Sequence, residues 1–86
     1  MKMVINSNWG GFEVPMAVQQ ELRCGRFSDT NDIRMDPRFV EWVERHPNSS
    51  DLRVVEIPDN ATDWEMDEYD GLETIIAVVD GKIVHL

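Results

Sequence analysis

The stretch that decides the fold is Trp64–Leu86, with the sequence WEMDEYDGLETIIAVVDGKIVHL. It contains the dipeptide Asp-Gly twice, at Asp70-Gly71 and at Asp80-Gly81. This dipeptide favours the tight turn of a β-hairpin, because both of its residues tolerate a positive φ. The segments beside the turns are rich in β-branched and aromatic residues. They predict an antiparallel meander with strands at Trp64–Tyr69, Leu72–Val79 and Lys82–Leu86.

The first strand of this meander has two different faces. Because successive strand residues point to opposite sides, Trp64 and Met66 share one face, and Glu65, Asp67 and Tyr69 share the other. We expect Trp64 to lie in the core. Whether the remaining carboxylates of this region join Glu65 and Asp67 on one face is left open by the sequence.

Two further strands are predicted upstream of the meander. The apolar run Met1–Ile5 indicates the first, which ends at the turn-forming cluster Asn6–Gly11. The glycines of that cluster, Gly10-Gly11, permit a positive φ or the close approach of another chain segment. The second strand is Leu52–Ile57, and Pro58-Asp59-Asn60 closes it.

Two short helices are predicted between these strands. The first has an apolar stripe at the helical spacing of four residues, formed by Val14, Val18 and Leu22. The second begins at Asp36-Pro37, an N-cap acid followed by proline. It ends at His46-Pro47, because a residue before proline avoids the helical region. The polar segment Arg26–Met35 between the helices is predicted to be a loop.

The predicted fold is α+β, with two short helices packed on one face of a small, mostly antiparallel sheet. The expected element order is βααβ followed by the meander. The 86 residues suffice for a single domain, residues 1–86, with one modest core. A chain of this size buries roughly 60–65% of its unfolded surface, and it has no second lobe with which to form a deep cleft.

The charge of the chain is strongly negative and unevenly distributed. The net charge is −9. Residues 1–53 carry seven basic and eight acidic side chains, whereas residues 54–86 carry Lys82 against nine carboxylates. This second part repels phosphate groups and attracts cations and basic proteins, so we expect no direct binding of nucleic acid.

No constellation for catalysis or cofactor binding is recognisable in the sequence. Cys24, His46 and His85 are the candidates for nucleophilic chemistry, but nothing in their positions brings them together. The crowded carboxylates of the meander do not follow the calcium-loop pattern, which requires glycine where this chain has Glu68 and glutamate where it has Thr74. We therefore expect a protein without enzymatic activity, without a bound metal and without a cofactor.

The cellular location is predicted from the cysteine count and the apolar runs. A single cysteine, Cys24, suits a reducing compartment. The longest apolar run, Ile75–Val79, is far too short to cross a membrane. We expect a cytoplasmic protein that does not bind membranes.

The chain has more aromatic residues than a core formed against two short apolar helix faces is expected to bury. Aromatic side chains bordered by charge are typical of the energetic centres of protein interfaces. Trp9 lies in a turn rich in glycine and asparagine, which makes it a candidate for an exposed contact. The full set of predicted partner contacts is Trp9, Glu65, Asp67, Tyr69, Asp70 and Glu73.

Several motifs, taken together, resemble those of a family of small bacteriophage and prophage proteins. Its pattern is VIN…GGF near the start and VVEIPD…W…EYDGxE near the end. The residues that carry it here are Met3–Asn6, Gly10–Phe12, Arg34–Pro37, Val40–Glu44, Leu52–Asp59, Trp64–Met66 and Glu68–Glu73. This chain departs from the family in having Val14-Pro15 where a serine cap is usual. The resemblance implies an origin in phage genomes and a bacterial cytoplasm, but no activity, because the family has none assigned.

The sequence favours a phage-encoded interaction protein that inhibits a host protein by occupying its basic or nucleic-acid-binding surface. Host defence proteins, including CRISPR effectors, are the expected class of target. One alternative is a protein that binds a small molecule or nucleotide, with Gly10-Gly11 as backbone donors and Arg34 or Arg38 as the partner of an anion. Another is a structural or assembly component. The oligomeric state is left open.

Overall fold

Five strands and three helices form the fold, and the computed structural model describes all of residues 1–86. In chain order they are β1 (Lys2–Asn6), α1 (Met16–Leu22), α2 (Asn31–Arg34), α3 (Pro37–Arg45), β2 (Leu52–Glu56), β3 (Ala61–Tyr69), β4 (Leu72–Val79) and β5 (Lys82–His85). The predicted α+β class is confirmed, and the two expected helices are α1 and α3. None of the helices is long and apolar enough to span a membrane.

The strands divide into two antiparallel sheets instead of forming the single predicted sheet. β1 pairs with β2, and the meander forms a separate sheet in the order β3-β4-β5. The reason lies in β1, where Met3, Val4 and Ile5 are all fully buried. A strand that is apolar on both faces must be covered on both. The helices cover one face of the β1–β2 sheet and the meander covers the other, which gives three layers.

Each interface between layers has its own apolar cluster. The cluster between the helices and the β1–β2 sheet consists of Val4, Val14, Val18, Phe39, Val40, Val43 and Leu52. The cluster between the two sheets consists of Met3, Ile5, Val55, Ile57 and Ile75. Trp64 and Met66 pack against this second cluster, so the inward face predicted for β3 is confirmed. Only the inner face of the meander therefore packs against the rest of the protein.

The short helix α2 lies inside the segment that the sequence predicted to be a loop. Its N-cap is Thr30, whose hydroxyl accepts a hydrogen bond from the Ile33 amide (3.4 Å). Four residues are too few to show a helical period, so the apolar pattern gave no sign of it. The helix matters for the site because its last residue, Arg34, is buried.

Both Asp-Gly turns of the meander are formed as predicted. The four residues adopt the positive φ that this hairpin turn requires. The values are 49° at Asp70, 89° at Gly71, 53° at Asp80 and 76° at Gly81. The first turn sets Tyr69 opposite Leu72 and thereby fixes the register of β3 and β4.

Asp36 is expected to stabilise α3 as its N-cap. Its Oδ1 accepts a hydrogen bond from the Arg38 amide (2.9 Å), and its Oδ2 pairs with the Arg38 guanidinium (3.0 Å). These hydrogen bonds hold the pKa of Asp36 below its ordinary value of 3.8. Replacing Asp36 with alanine should lower the free energy of unfolding by about 1 kcal/mol, as measured by urea denaturation at neutral pH.

The same carboxylate should make the stability depend on pH. Because the pKa of Asp36 is depressed in the folded state, the carboxylate stabilises the fold above its unfolded pKa, and this contribution is lost as the pH falls through the folded pKa. The stability difference between the wild type and Asp36→Ala should therefore shrink well below pH 3.8. A difference that stays constant from neutral to strongly acidic pH would contradict this role.

Candidate functional site

The candidate site is the outer face of the meander, which points away from the other two layers. On β4, Glu73, Ile75 and Ala77 are buried and point inward. The alternate residues of β4 point outward, together with the residues paired with them on the neighbouring strands. The outer face comprises Asp63, Glu65, Asp67 and Tyr69 of β3, Leu72, Thr74, Ile76 and Val78 of β4, and Ile83 and His85 of β5.

Three carboxylates form a row along β3, which we call the acidic row: Asp63, Glu65 and Asp67. Successive members are two residues apart, which is about 6–7 Å along a strand. All three are exposed, and none takes part in an ion pair. Asp63 and Asp67 each accept a hydrogen bond through Oδ1 from the amide of the following residue (2.8 and 3.1 Å). The row is therefore negatively charged and directed at solvent.

Apolar side chains lie directly beside the acidic row. Ile76 is paired with Glu65 across the strands, and Val78 is paired with Ile83. Ile83 is 70% exposed. These residues border a shallow groove of about 180 Å³, lined by Asp63, Trp64, Glu65, Ile76, Val78 and Ile83. The combination of charge and exposed apolar surface suits a protein partner better than a small ion.

Many of the charges on the helical side are, in contrast, paired locally. The pairs are Lys2–Glu44, Glu13–Arg26, Asp36–Arg38 and Glu41–Arg45. Adjacent opposite charges largely cancel each other at a distance. Four carboxylates outside the meander remain unpaired, at Glu21, Asp29, Asp32 and Asp51, together with the unpaired Arg23 and Arg53. The meander carries six unpaired carboxylates against Lys82 alone, so its excess of unpaired negative charge is larger.

Five of the six predicted contact residues lie in one region. Glu65, Asp67 and Tyr69 share the outer face. Asp70 lies in the turn after Tyr69, and its carbonyl accepts a hydrogen bond from the Gly10 amide (3.2 Å). In the adjoining loop, the Trp9 ring contacts the Tyr69 ring edge to face, with centroids 5.8 Å apart.

Glu73 is not a surface residue, so its prediction as a partner contact was wrong. It is 6% exposed, and its carboxylate forms a bidentate ion pair with the Arg34 guanidinium, at 2.7 and 2.8 Å. Strand alternation gives the reason, because Glu73 shares the inward face of β4 with Ile75 and Ala77. In the folded protein this carboxylate is occupied and inaccessible.

Arg34 and Glu73 are the centre of a buried polar network. Arg34 Nη1 donates a second hydrogen bond to the Val4 carbonyl (3.2 Å), and the guanidinium lies 3.8 Å from the centroid of the Phe12 ring. Glu73 Oε1 also accepts a hydrogen bond from the Asn6 amide (2.7 Å). No buried side-chain nitrogen or oxygen lacks a hydrogen-bond partner. A buried charge pair is tolerated only with partners of this kind.

The network also holds the loop of residues 7–11, which we call the Trp9 loop, against the β3–β4 turn. Asn6 Nδ2 donates to the carbonyls of Asn8 (2.8 Å) and Gly71 (2.6 Å). The Gly10-Gly11 backbone lies so near this turn that a Cβ at Gly71 would stand 2.2 Å from the Gly11 nitrogen. The close approach that the two glycines were predicted to permit is therefore made to Gly71.

The residues named for a small-ligand site are already paired within the protein. Arg34 is buried with Glu73, and Arg38 is hydrogen-bonded to Asp36. The Gly10 amide donates to a main-chain carbonyl. We therefore do not propose a nucleotide site there. The structure also has no group of three or more His, Cys, Asp or Glu side chains placed to hold a metal ion.

Sequence reasoning missed the Arg34–Glu73 pair and the apolar part of the outer face. For Glu73, the available signal was its position two residues before Ile75, on the face of β4 that had to be buried. For the outer face, the signal was the unbroken apolar run Ile75–Val79. Such a run shows that both faces of a strand are apolar, while the chain offers no further layer to cover the second one.

Comparisons with protein-family models, with curated proteins and with solved structures found no match for this chain. Three features of the structure bear on function: the acidic row, the apolar groove beside it, and the aromatic pair at the end of the meander.

Proposed function

We propose that this protein binds a basic protein through the outer face of its meander, and that it acts by binding and not by catalysis. The observation that carries the proposal is the acidic row, whose carboxylates are exposed and unpaired beside an apolar groove. Electrostatic complementarity of this kind speeds association and selects partners of opposite charge. The groove adds apolar surface, which is released from water when a partner covers it.

The partner class that fits this face is a protein whose basic surface otherwise binds nucleic acid. Regularly spaced carboxylates on a strand present repeated negative charge, as a phosphate backbone does. Such a surface competes with nucleic acid for the same lysine and arginine side chains. Together with the resemblance to phage proteins, this leads us to propose a cytoplasmic inhibitor of a host defence protein, for example a CRISPR effector.

The proposal is tested by capturing bacterial proteins on the immobilised wild type and on the variant Glu65→Lys/Asp67→Lys. We expect the wild type to retain basic, nucleic-acid-binding proteins at low salt and to release them when duplex DNA is added. Retention should fall as the salt concentration rises towards 1 M, where the screening length is about 3 Å. The charge-reversed variant should retain none of them.

The matched control is Glu21→Lys/Asp29→Lys, which changes the net charge equally but on exposed residues outside the meander. This variant should retain the same proteins as the wild type. If both variants lose the retained proteins to the same extent, only the total charge matters and the outer face is not the site. If neither variant loses them, the acidic row has no part in binding.

A further inference from the structure

We propose that the exposed Trp9–Tyr69 pair is a receptor for an arginine side chain of the basic partner. This inference rests on the proposed function, since it names the chemical group that the partner inserts at one end of the outer face. Trp9 is 58% exposed and Tyr69 is 69% exposed. Two large aromatic side chains in contact with each other and with solvent form an apolar site that no other part of this chain covers.

The geometry of the two rings suits a cation. Their planes are inclined by 70°, so the contact is edge to face and not stacked, and both side chains stay more than half exposed. The centroids are 5.8 Å apart. A cation is attracted to an aromatic face when it lies within about 6 Å of the centroid. A cation over the exposed face of either ring therefore gains this attraction.

The loop and the turn that carry the rings are fixed before any partner arrives. The Trp9 amide donates to Asn8 Oδ1 (2.8 Å), and the Asn8 carbonyl is held by Asn6 Nδ2. On the other side, the Gly71 amide donates to Glu68 Oε1 (2.6 Å). A site that is already ordered loses little conformational entropy on binding, which favours affinity.

The charges around the pair select for a cation. Asp67 lies two residues before Tyr69 on the same face of β3, and Asp70 follows Tyr69 in the turn. Neither carboxylate takes part in an ion pair. Arginine fits better than lysine, because its planar guanidinium stacks on aromatic rings and donates to a carboxylate at the same time. Arg34 makes this combination of contacts inside the protein, with Phe12 and Glu73.

The test is a titration with a twelve-residue peptide of alternating arginine and glycine, followed through the indole N–H signals of the three tryptophans by NMR. We expect the Trp9 signal to shift and the Trp42 signal to stay. Trp9→Leu and Tyr69→Leu should each weaken peptide binding about two- to fivefold, and Tyr69→Phe, which keeps a ring, should leave it unchanged. A peptide with citrulline in place of arginine should not bind.

The outcomes separate this inference from the proposed function. If Trp9→Leu and Tyr69→Leu bind the peptide as the wild type does, or if the Trp9 signal does not move, the arginine receptor is refuted. If the ring variants bind normally but Glu65→Lys/Asp67→Lys does not bind the peptide, the peptide binds to the acidic row. The proposed function then stands without the arginine receptor. Both ring variants replace exposed side chains, and an unchanged melting temperature would verify that each one folds.

Discussion

Replacing Glu73 with alanine is expected to lower the free energy of unfolding by about 3–5 kcal/mol, because it leaves the Arg34 guanidinium buried without its counter-charge. Arg34 is 3% exposed and donates a hydrogen bond to each carboxylate oxygen of Glu73. The Asn6 amide would lose its acceptor as well. A domain of this length has a total stability of only about 4–13 kcal/mol, so the loss is a large part of it.

Urea denaturation of Glu73→Ala, compared with Glu65→Ala, measures this effect. Glu65 is an exposed carboxylate of the same sheet without an ion pair, and its replacement should change the stability by no more than about 0.5 kcal/mol. The double variant Arg34→Met/Glu73→Leu should be more stable than Glu73→Ala, because it leaves no buried charge. If Glu73→Ala is as stable as Glu65→Ala, the network does not hold the fold together.

Replacing Gly71 with alanine is the second change with a large expected effect. The new Cβ would stand 2.2 Å from the Gly11 nitrogen and 2.9 Å from the Gly10 nitrogen, and main-chain atoms cannot move aside as a side chain can. The φ of 89° adds backbone strain. We expect a loss of about 2–4 kcal/mol from the overpacking and the strain together.

Gly81 provides the matched control for Gly71. It occupies the same position of the second Asp-Gly turn, with a φ of 76°, but a Cβ there would meet no atom within 4 Å. Gly81→Ala should therefore cost only the backbone strain, about 1 kcal/mol. Thermal melts of the two variants separate the two contributions. Equal losses would mean that the Trp9 loop does not pack on the β3–β4 turn.

Much of the fold was predictable because its signals are local. The Asp-Gly turns fixed the hairpins, and Asp36-Pro37 and His46-Pro47 fixed the ends of α3. The division into two sheets was not predictable in this way, since hydrophobic alternation describes which face of a strand is buried but not what covers it. The one hint of a third layer in β1 was its consecutive apolar residues Met3, Val4 and Ile5, which place apolar side chains on both faces of the strand.

The candidate site was predictable to a similar degree. The alternation of β3 placed Glu65, Asp67 and Tyr69 together, because residues two positions apart on a strand point to the same face. The burial of Glu73, in contrast, depends on its ion pair with Arg34, which is 39 residues away in the chain. Pairing between such distant residues is a tertiary property, and neither composition nor period reveals it. The contact between Trp9 and Tyr69 has the same origin.

The most direct measurement of the central claim is a map of backbone amide shifts during titration with the arginine–glycine peptide. We expect changes confined to β3, to the outward residues of β4 and β5, and to the Trp9 loop. These changes should be lost in Glu65→Lys/Asp67→Lys and should persist in Glu21→Lys/Asp29→Lys. Changes centred on α1 and α3, or changes that survive reversal of the acidic row, would show that the outer face is not the binding surface.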